Sequence, residues 1–356
     1  MHSLANRGVP LEEHPGAAPN ELEWDNVRAF LEVVRRGSIR AAARFLGVSI
    51  NTIARRIDRL EQELSTKLIT RHIGGINLTA EGAEILAAAR EMERASFNLI
   101  RARDRTQPEM AGELRLATTE ALGSFWLGPR LVEFRQAHPK LLVDLNCAMR
   151  SADVLRLEAD ASIQLTRPSD ADLKAVRVGR IHSMPAASPA YLDRYGVPKS
   201  LEELRAKHRL TLQFADQTGT QELYERLFPG VPYVDLVAFR TNSSSALLWS
   251  LIKGAGIGWA PTYIHAIGPQ IVPVDIDPSL IFGFDVWLSY HPDAARIPRV
   301  RRLIDWVKEC FSAARYPWFR DEFIHPRDLP GMYDGPPLVN LFQGVTWSDR
   351  SQAGAA

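Results

Sequence analysis

Residues 37–64 alternate apolar and polar positions with the spacing of two short helices joined by a very small turn. Ser38 is a favourable N-cap, and the helix-forming residues IRAAARFL behind it predict a helix that ends near Leu46. Gly47 can adopt the left-handed conformation that ends a helix, and Ser49 can cap the next helix almost at once. The pattern therefore predicts two helices that meet at a sharp angle.

The second of these helices has one apolar and one polar face. At about 100° per residue the apolar positions form one narrow stripe, made of Ile53, Ile57, Leu60 and Leu64. The opposite face carries short polar and long cationic side chains, namely Asn51, Thr52, Arg55 and Arg59. Such a face suits the major groove of DNA, where the N-terminal side chains reach base edges and the arginines reach phosphates or a guanine. The alternative is an amphipathic helix pair with a solvated arginine face.

The next segment predicts a wing beside this helix pair. The residues STKLITRHIGG followed by INLTAEG indicate a strand, a Gly74-Gly75 turn and a second short strand, after which Thr79 caps a further helix. A wing favours the DNA-binding interpretation over the solvated face. The predicted DNA-binding residues are Ser38, Ser49, Ile50, Asn51, Thr52, Arg55, Arg56, Arg59, Arg71 and His72.

A long helix is predicted from Ala80 to about Asp104, because neither Gly nor Pro occurs there after Gly82. Small and apolar residues recur in it at alternating spacings of four and three, at Ile85, Ala89, Met92, Ser96 and Leu99. This pattern is typical of a coiled-coil seam that pairs two chains. The alternative is a helix packed on its own domain. The following residues DRTQPEMAG predict a hinge.

The rest of the chain alternates strand and helix patterns, which favours an α/β domain with a largely parallel sheet. GELRLATTE and KLLVDLNCAM predict strands, with a helix in FWLGPRLVEFRQAHP between them. SADVLRLEAD predicts a further helix and ASIQL a further strand. After residue 315 the chain is rich in aromatic residues, unlike a solvated linker, and we expect it to pack on this domain or on another subunit.

Charge is distributed unevenly along the chain. The net charge of all 356 residues is only +1, but residues 35–71 contain nine basic and three acidic residues, a local charge of +6. A basic patch on a nearly neutral protein indicates nucleic acid as a partner. No secretory signal or apolar membrane helix is visible, so we expect a cytoplasmic protein without a membrane partner.

The sequence gives little support to enzyme, cofactor or metal chemistry. The two cysteines form no CxxC, and the nine histidines lack metal-binding spacing. GAGIG at residues 254–258 follows an apolar helix and lacks the dinucleotide spacing, so we interpret it as a helix end leading into a strand. Ser250 and Lys253 form an S-x-x-K without its companion motifs. We therefore expect no enzyme, no cofactor and no metal; the alternative function is a solute-binding protein that does not bind DNA.

The N-terminal part resembles the LysR-type transcriptional regulators. The matching positions are Phe30, Val33 or Val34, Gly37-Ser38, Ala42-Ala43, Leu46, Val48-Ser49, Arg55, Ile57, Leu60-Glu61, Leu64, Leu68, Arg71, Leu78-Thr79 and Gly82. Ala54, Ser65 and Ile69 depart from the family pattern, where serine, glycine and phenylalanine are usual. Ser188-Pro189-Ala190-Tyr191-Leu192, GAGIGWAPTYI and the segment from Val286 to Phe311 resemble the family's effector domain.

The resemblance implies an α/β multi-domain protein: a winged helix-turn-helix, a linker helix, and a two-lobed effector domain like a type II periplasmic binding protein. The implied cleft residues are Thr118, Thr119, Gln164, Thr166, Phe214, Asn242, Ser243, Ala260 and Pro261. Each Thr or Ser could equally be only an N-cap. The implied partners are double-stranded DNA, a small-molecule effector, a second or several identical chains as a homodimer or homotetramer, and RNA polymerase.

The expected domain limits follow the same scheme. Residues 1–20 form a disordered extension, 21–82 the winged helix-turn-helix, 83–106 the linker helix and 107–112 the hinge. The effector domain spans 113–315, with lobe I at 113–165 and 263–315 and lobe II at 166–262. Residues 316–356 form a C-terminal extension.

Overall fold

The computed structural model describes residues 22–105, 110–148, 154–156, 158–214, 220–268 and 270–335. The chain divides into two compact units, Met1–Ser96 and Phe97–Ala356. The predicted extension at 1–20 and residues 107–109 of the predicted hinge lie outside the described residues. None of the described helices combines the length and apolar character needed to cross a membrane.

The first unit is a three-helix bundle with a two-stranded wing. Its elements are α1 (Trp24–Arg36), α2 (Ile39–Leu46), α3 (Ile50–Glu63), β1 (Ile69–His72), β2 (Gly75–Leu78) and the start of α4 (Ala80–Arg105). The predicted caps are confirmed: Gly47 ends α2 with φ +67°, and the Ser49 side chain accepts a hydrogen bond from the Thr52 N–H. The predicted stripe of α3 packs into the core through Ile53, Ile57 and Leu60, with Leu64 at its margin.

The turn of the wing lies one residue earlier than predicted. His72 pairs with Gly75, so Ile73 and Gly74 form the two-residue loop. Gly75 belongs to β2, where a Cβ atom would lie 2.4 Å from the carbonyl oxygen of Gly37. Gly74 therefore serves the turn, and Gly75 allows the wing to approach the end of α1 closely. The sequence alone could not show which of the two glycines has which role.

Helix α4 begins at Ala80, as predicted, where Thr79 caps it by accepting from the Gly82 N–H at 2.8 Å. The expected limit of the linker helix at residue 83 therefore falls inside α4. Its first half packs on the bundle of its own chain: Leu86 and Ala89 are buried in the core. Farther along, Met92 is 38% exposed and Leu99 74% exposed. Packing on its own domain is thus confirmed for the first half of the helix, and the pairing of two chains through the exposed second half stays a prediction.

The second unit contains a seven-stranded sheet and a separate two-stranded sheet. Its strands are β3 (Gly112–Thr118), β4 (Leu141–Cys147), β5 (Ala161–Gln164), β6 (Lys174–Ala187), β7 (Leu210–Gln213), β8 (Val237–Thr241), β9 (Gly258–Pro261), β10 (Val272–Pro273) and β11 (Phe282–Tyr290). The helices are α5 (Gly128–Ala137), α6 (Pro189–Tyr195), α7 (Leu201–Lys207), α8 (Thr220–Leu227), α9 (Tyr233–Leu236), α10 (Ser244–Ile252), α11 (Thr262–Ile267), α12 (Pro298–Cys310) and α13 (Leu329–Met332). A π-helical turn at Leu122–Leu127 precedes α5, and 3-10 turns occur at Pro278–Leu280, Ala294–Arg296 and Pro317–Phe319.

The expectation of a largely parallel sheet was wrong. The large sheet has the order β10-β6-β11-β5-β3-β4, with β9 also on β6. Only β3 pairs parallel with its neighbours β4 and β5; the pairings of β6 and β11 are antiparallel. The long strands β6 and β11 lie beside each other and run antiparallel, so the sheet is mixed. Alternation of strands and helices along the chain does not fix the direction in which distant strands pair.

One predicted helix is absent from the described part of its segment. Residues 154–156 form a turn, in which Val154 packs against Ala117 and Ala159. The Arg115 N–H donates to the Asp160 carboxylate at 2.8 Å, and the Asp160 N–H donates to the Arg115 carbonyl. These bonds hold the chain beside β3, so that β5 can pair with β3. This pairing outweighs the tendency of the segment to form a helix.

Two apolar cores correspond to the two expected lobes, but their limits differ from the predicted ones. Val274, assigned to lobe I, packs in the smaller core, and α10, assigned to lobe II, places Leu247 and Leu251 in the larger one. The predicted C-terminal extension also contributes to the larger core, through Tyr316, Trp318, Phe319, Ile324 and Leu329. Residues 336–356 lie outside the described part.

Candidate DNA-binding surface and effector cavity

The first turn of α3 presents the predicted base-contacting residues. Ile50 and Asn51 are exposed, whereas the Ser49 hydroxyl is committed to Thr52, with a backbone bond of 3.1 Å and a hydroxyl–hydroxyl distance of 2.8 Å. Ser38 is likewise an N-cap, accepting from the Ala41 N–H at 3.5 Å. The side chains free to reach outward from this turn are therefore Ile50 and Asn51.

Three of the four predicted arginines have acidic partners. Arg56 pairs with Asp25 at 2.5 Å, and Arg71 pairs with Asp58 at 3.2 Å. Arg59 lies between Glu23 and Glu63, at 2.7 and 3.2 Å. Arg55 is exposed and has no ion pair among the described residues. Exposed ion pairs contribute less than about 1 kcal/mol to stability, so DNA phosphates can displace these carboxylates. Of the four predicted arginines, Arg55 alone has no ion pair among the described residues before DNA binds.

The wing carries the remaining predicted residues. The His72 ring accepts a hydrogen bond from the Gly74 N–H at 3.1 Å, and Ile73 at the tip is fully exposed. Arg71 lies on the strand before the tip and remains exposed. The structure thus brings Arg71 close to α3, through Asp58, and keeps His72 within the turn.

Glu61 joins α3 to the wing, a role that was not predicted. This buried carboxylate accepts hydrogen bonds from the backbone N–H groups of Leu68 and Ile69, at 2.9 and 3.3 Å, and from Lys67 Nζ at 2.5 Å. Burial by itself would raise the pKa of Glu61, but these hydrogen bonds outweigh it and hold the pKa below its usual value. The carboxylate therefore stays charged and fixes the start of the wing.

The second unit contains a cavity of about 130 Å³ between its two cores. Of the predicted cleft residues, only Thr119 and Pro261 line it. Aliphatic and aromatic side chains make up most of the wall, including Leu122, Leu165, Ile181, Leu212, Leu223, Tyr224, Phe228, Leu247, Trp259, Tyr263, Phe282 and Phe284. The polar lining residues are Thr119, Ser183, Thr211, Gln213 and Ser244.

The other predicted cleft residues lie elsewhere. Thr118, next to Thr119 in the chain, is buried where a Cβ on Gly123 would touch it, and Ala260 is buried in the larger core. The Gln164 amide donates to Ser162, and Phe214 packs on Tyr233 with the Arg240 guanidinium over its ring. Thr166 and Asn242 are exposed. Adjacent strand residues face opposite sides, so strand ends alone could not identify which side chain reaches the cavity.

Ser243 is a helix cap, the alternative that the sequence left open. Its hydroxyl accepts from the Ala246 N–H and donates to Glu120 at 2.8 Å. The same carboxylate accepts from the N–H groups of Ser244 and Ser245, at 2.8 and 3.2 Å. Partial burial would raise the pKa of Glu120, but these bonds lower it overall. A carboxylate of the chain itself therefore occupies the N-terminus of α10.

Sequence reasoning missed Thr211 and Tyr263, which line the cavity and whose hydroxyls have no hydrogen-bond partner among the described residues. Both side chains are at most 1% exposed. Thr211 lies in an apolar strand and Tyr263 in an apolar helix, so both resembled ordinary core residues. The available signal was a hydroxyl group among buried apolar residues. The sequence could not show that this hydroxyl lacks a hydrogen-bond partner.

Two family models together match most of the chain. Residues 24–83 match "Bacterial regulatory helix-turn-helix protein, lysR family", and residues 107–312 match "LysR substrate binding domain". The chain is similar to an HTH-type transcriptional regulator of Xanthomonas campestris pv. campestris (strain 8004), with 32% identity over 188 residues, 52% of this chain and 54% of that protein. This match therefore spans about half of that relative.

Longer matches and a solved structure agree with the family models. The probable HTH-type transcriptional regulator LtrA of Klebsiella pneumoniae is 25% identical over 80% of this chain and 93% of its own length. The full-length structure of the Vibrio cholerae virulence activator AphB has a TM-score of 0.50 and 21% identity, covering 80% of this chain and 98% of that one. At this identity the structural likeness concerns the fold alone.

Proposed function

The chain belongs to the LysR family of DNA-binding transcriptional regulators that respond to small-molecule effectors, and we propose which of its residues perform the two tasks. Residues of α3 and the wing contact DNA, and the cavity of the second unit binds the effector. The family consists of regulators and not enzymes. Among the described residues, no cluster of acidic, histidine and cysteine side chains is arranged to hold a metal ion.

The observation that carries the DNA-binding proposal is the unpaired guanidinium of Arg55 on the exposed face of α3. Ile50 and Asn51 precede it by one turn and reach base edges in the major groove. Arg56, Arg59 and Arg71 exchange their carboxylate partners for phosphates when DNA is bound. Binding therefore depends on α3 most strongly at Arg55.

Two identical chains bind together, because two recognition helices on two half-sites multiply a weak single contact. The exposed apolar face of α4, with Met92 and Leu99, pairs the chains, and dimers pair further into tetramers. An effector in the cavity favours one arrangement of the two lobes, and the assembly converts that preference into altered DNA bending. In the cytoplasm, the bound regulator then acts on RNA polymerase.

The alternative, a solute-binding protein without a DNA-binding role, is not favoured. It gives no reason for a winged helix-turn-helix with a local charge of +6 in residues 35–71. The cavity alone is compatible with both functions. The distinguishing property is DNA affinity.

Replacement of Arg55 by Ala tests the proposal. If Arg55 contacts phosphate, affinity falls for all DNA sequences and the slope of log affinity against log salt becomes shallower by about 1. If it reads guanine, one base position loses its preference at a cost of about 1–3 kcal/mol. Fluorescence anisotropy titrations of the full chain at several salt concentrations measure both effects.

Arg28→Ala is the matched control, because Arg28 is exposed on α1 and also has no ion pair among the described residues. It removes the same charge from a helix outside the proposed surface. Equal losses in the two variants would mean that net charge alone drives binding, and no loss in Arg55→Ala would remove α3 from the interface.

A further inference from the structure

The described residues on the wall of the cavity carry no formal charge. No Lys, Arg, Asp, Glu or His occurs among the described residues that line it. The aromatic rings of Trp259 and Phe282 stack with centroids 6.1 Å apart, and Phe284 lies edge-on to Phe282. The Trp259 indole N–H already donates to the Leu280 carbonyl at 2.8 Å, so this wall offers an apolar face.

Three residues that line the cavity carry a buried hydroxyl group with no hydrogen-bond partner in the described structure. They belong to Thr119, Thr211 and Tyr263, which are 7%, 0% and 1% exposed. Buried polar groups are normally paired, because an unpaired one loses its hydrogen bonds to water without replacement. Unpaired hydroxyls on residues beside a cavity are suited to a ligand that can donate and accept hydrogen bonds.

The position that would attract an anion is already filled. Ser244, at the start of α10, lines the cavity, and a helix N-terminus favours negative charge. Glu120 occupies that N-terminus with three hydrogen bonds of 2.8 to 3.2 Å. A second carboxylate next to Glu120 would be repelled, since like charges at close range are unfavourable.

From these features, we propose that the effector is an uncharged, mainly apolar compound about the size of one aromatic ring, with a hydroxyl or carbonyl group that bonds to Thr119, Thr211 or Tyr263. The assignment rests on the proposed effector role of this cavity. Its volume of about 130 Å³ supports the size, because an apolar cavity of about 150 Å³ accommodates benzene. Glu120 excludes carboxylate analogues of the same size.

A matched set of probes tests the charge of the ligand. 4-Methylphenol and benzoate are titrated by calorimetry into the full chain at pH 7.5. We expect 4-methylphenol to bind at least tenfold more tightly than benzoate. Glu120→Ala opens the N-terminus of α10 and should tighten benzoate binding at least tenfold, while 4-methylphenol changes by less than about threefold. Tighter binding of benzoate to the unaltered chain, or unchanged discrimination in Glu120→Ala, would overturn the proposal.

Isosteric variants test the hydroxyl groups. Thr119→Val and Thr211→Val remove an unpaired hydroxyl and keep the shape, so the thermal midpoint without ligand should not fall. The affinity for 4-methylphenol should fall by about threefold to tenfold in at least one variant, the equivalent of one net hydrogen bond. The affinity for toluene should stay the same. Equal losses for both compounds, or no loss for either, would contradict hydrogen bonding by these hydroxyls.

Blocking the cavity shows whether the probes bind there. Leu223 is a half-buried lining residue of α8, and Leu223→Trp should abolish 4-methylphenol binding. Gln221→Trp, an exposed position on the same helix, should leave it unchanged. Binding that survives Leu223→Trp, or no binding of either probe to the unaltered chain, would overturn the ligand assignment. DNA affinity, measured on the same samples, reports separately on the proposed regulator function.

Discussion

At the level of single residues, one carboxylate that accepts several hydrogen bonds organises each unit of this regulator. Glu61 holds the start of the wing against α3, and Glu120 holds the N-terminus of α10. The family pattern contained Glu61, but only as a matching position, because the sequence could not show which N–H groups lie within its reach. Glu120 belonged to a predicted strand end and carried no recognisable signal.

We predict that Glu61→Gln lowers the free energy of unfolding at pH 7 by about 1–3 kcal/mol, because it weakens bonds to Lys67, Leu68 and Ile69. The pKa of Glu61 is lower in the folded chain than its ordinary value of 4.5. The stabilisation is therefore fully present above pH 4.5 and is lost as the pH falls through the folded pKa. The difference in the free energy of unfolding between Glu61→Gln and the unaltered chain should therefore shrink as the pH falls below 4.5.

Urea denaturation of the full chain between pH 7 and pH 4 measures this difference. Glu23→Gln is the control, since Glu23 makes only an exposed ion pair with Arg59 and its loss should cost less than about 1 kcal/mol. A Glu61→Gln difference that grows as the pH falls would contradict the linkage.

At the scale of elements, the sequence predicted what depends on local spacing. The caps at Ser49 and Gly47 and the stripe of α3 follow from neighbouring residues, and the structure confirms them. The antiparallel pairing of β6 with β11 depends on residues about a hundred positions apart, so no local pattern could reveal it. The same limit applies to the cavity, whose wall draws on strands and helices of both lobes.

The exposed apolar face of α4 is proposed to pair two chains. Leu99 is 74% exposed on the proposed pairing face, so Leu99→Glu should weaken dimerisation at least tenfold through the burial of a charge. Analytical ultracentrifugation of the full chain measures the dissociation constant.

Ala87→Glu is the control for α4. Ala87 is exposed and lies about 120° around the helix from Leu99, away from the proposed pairing face, so its substitution should leave dimerisation within about twofold. An unaltered dimer in Leu99→Glu would place the pairing surface elsewhere.

At the scale of the whole molecule, the segment after α12 is part of the effector domain. Trp126 is surrounded by Tyr316, Trp318 and Phe319, with ring centroids 4.9 to 5.5 Å away. The aromatic composition predicted that this segment packs somewhere, but not that it completes the larger core. This segment lies beyond the part of the chain that resembles the family, so the resemblance could not predict where it packs.

We predict that Trp318→Ala lowers the free energy of unfolding of the effector domain by about 3–5 kcal/mol, because Trp318 is 2% exposed in that core. Urea denaturation, followed by tryptophan fluorescence and circular dichroism, measures the loss. Trp249→Ala, at a side chain that is 49% exposed, should cost less than about 1 kcal/mol. Equal costs would mean that the segment does not stabilise the domain.

The central claim is that this molecule binds specific DNA through α3 and the wing. Footprinting of the purified full chain on fragments of its own genome, beside an Arg55→Ala, Arg59→Ala double variant, tests it most directly. We expect the unaltered chain alone to protect an interrupted palindrome, with half-sites about one helical turn or a multiple of it apart. Equal protection by both proteins, or no salt-sensitive DNA binding by either, would contradict it.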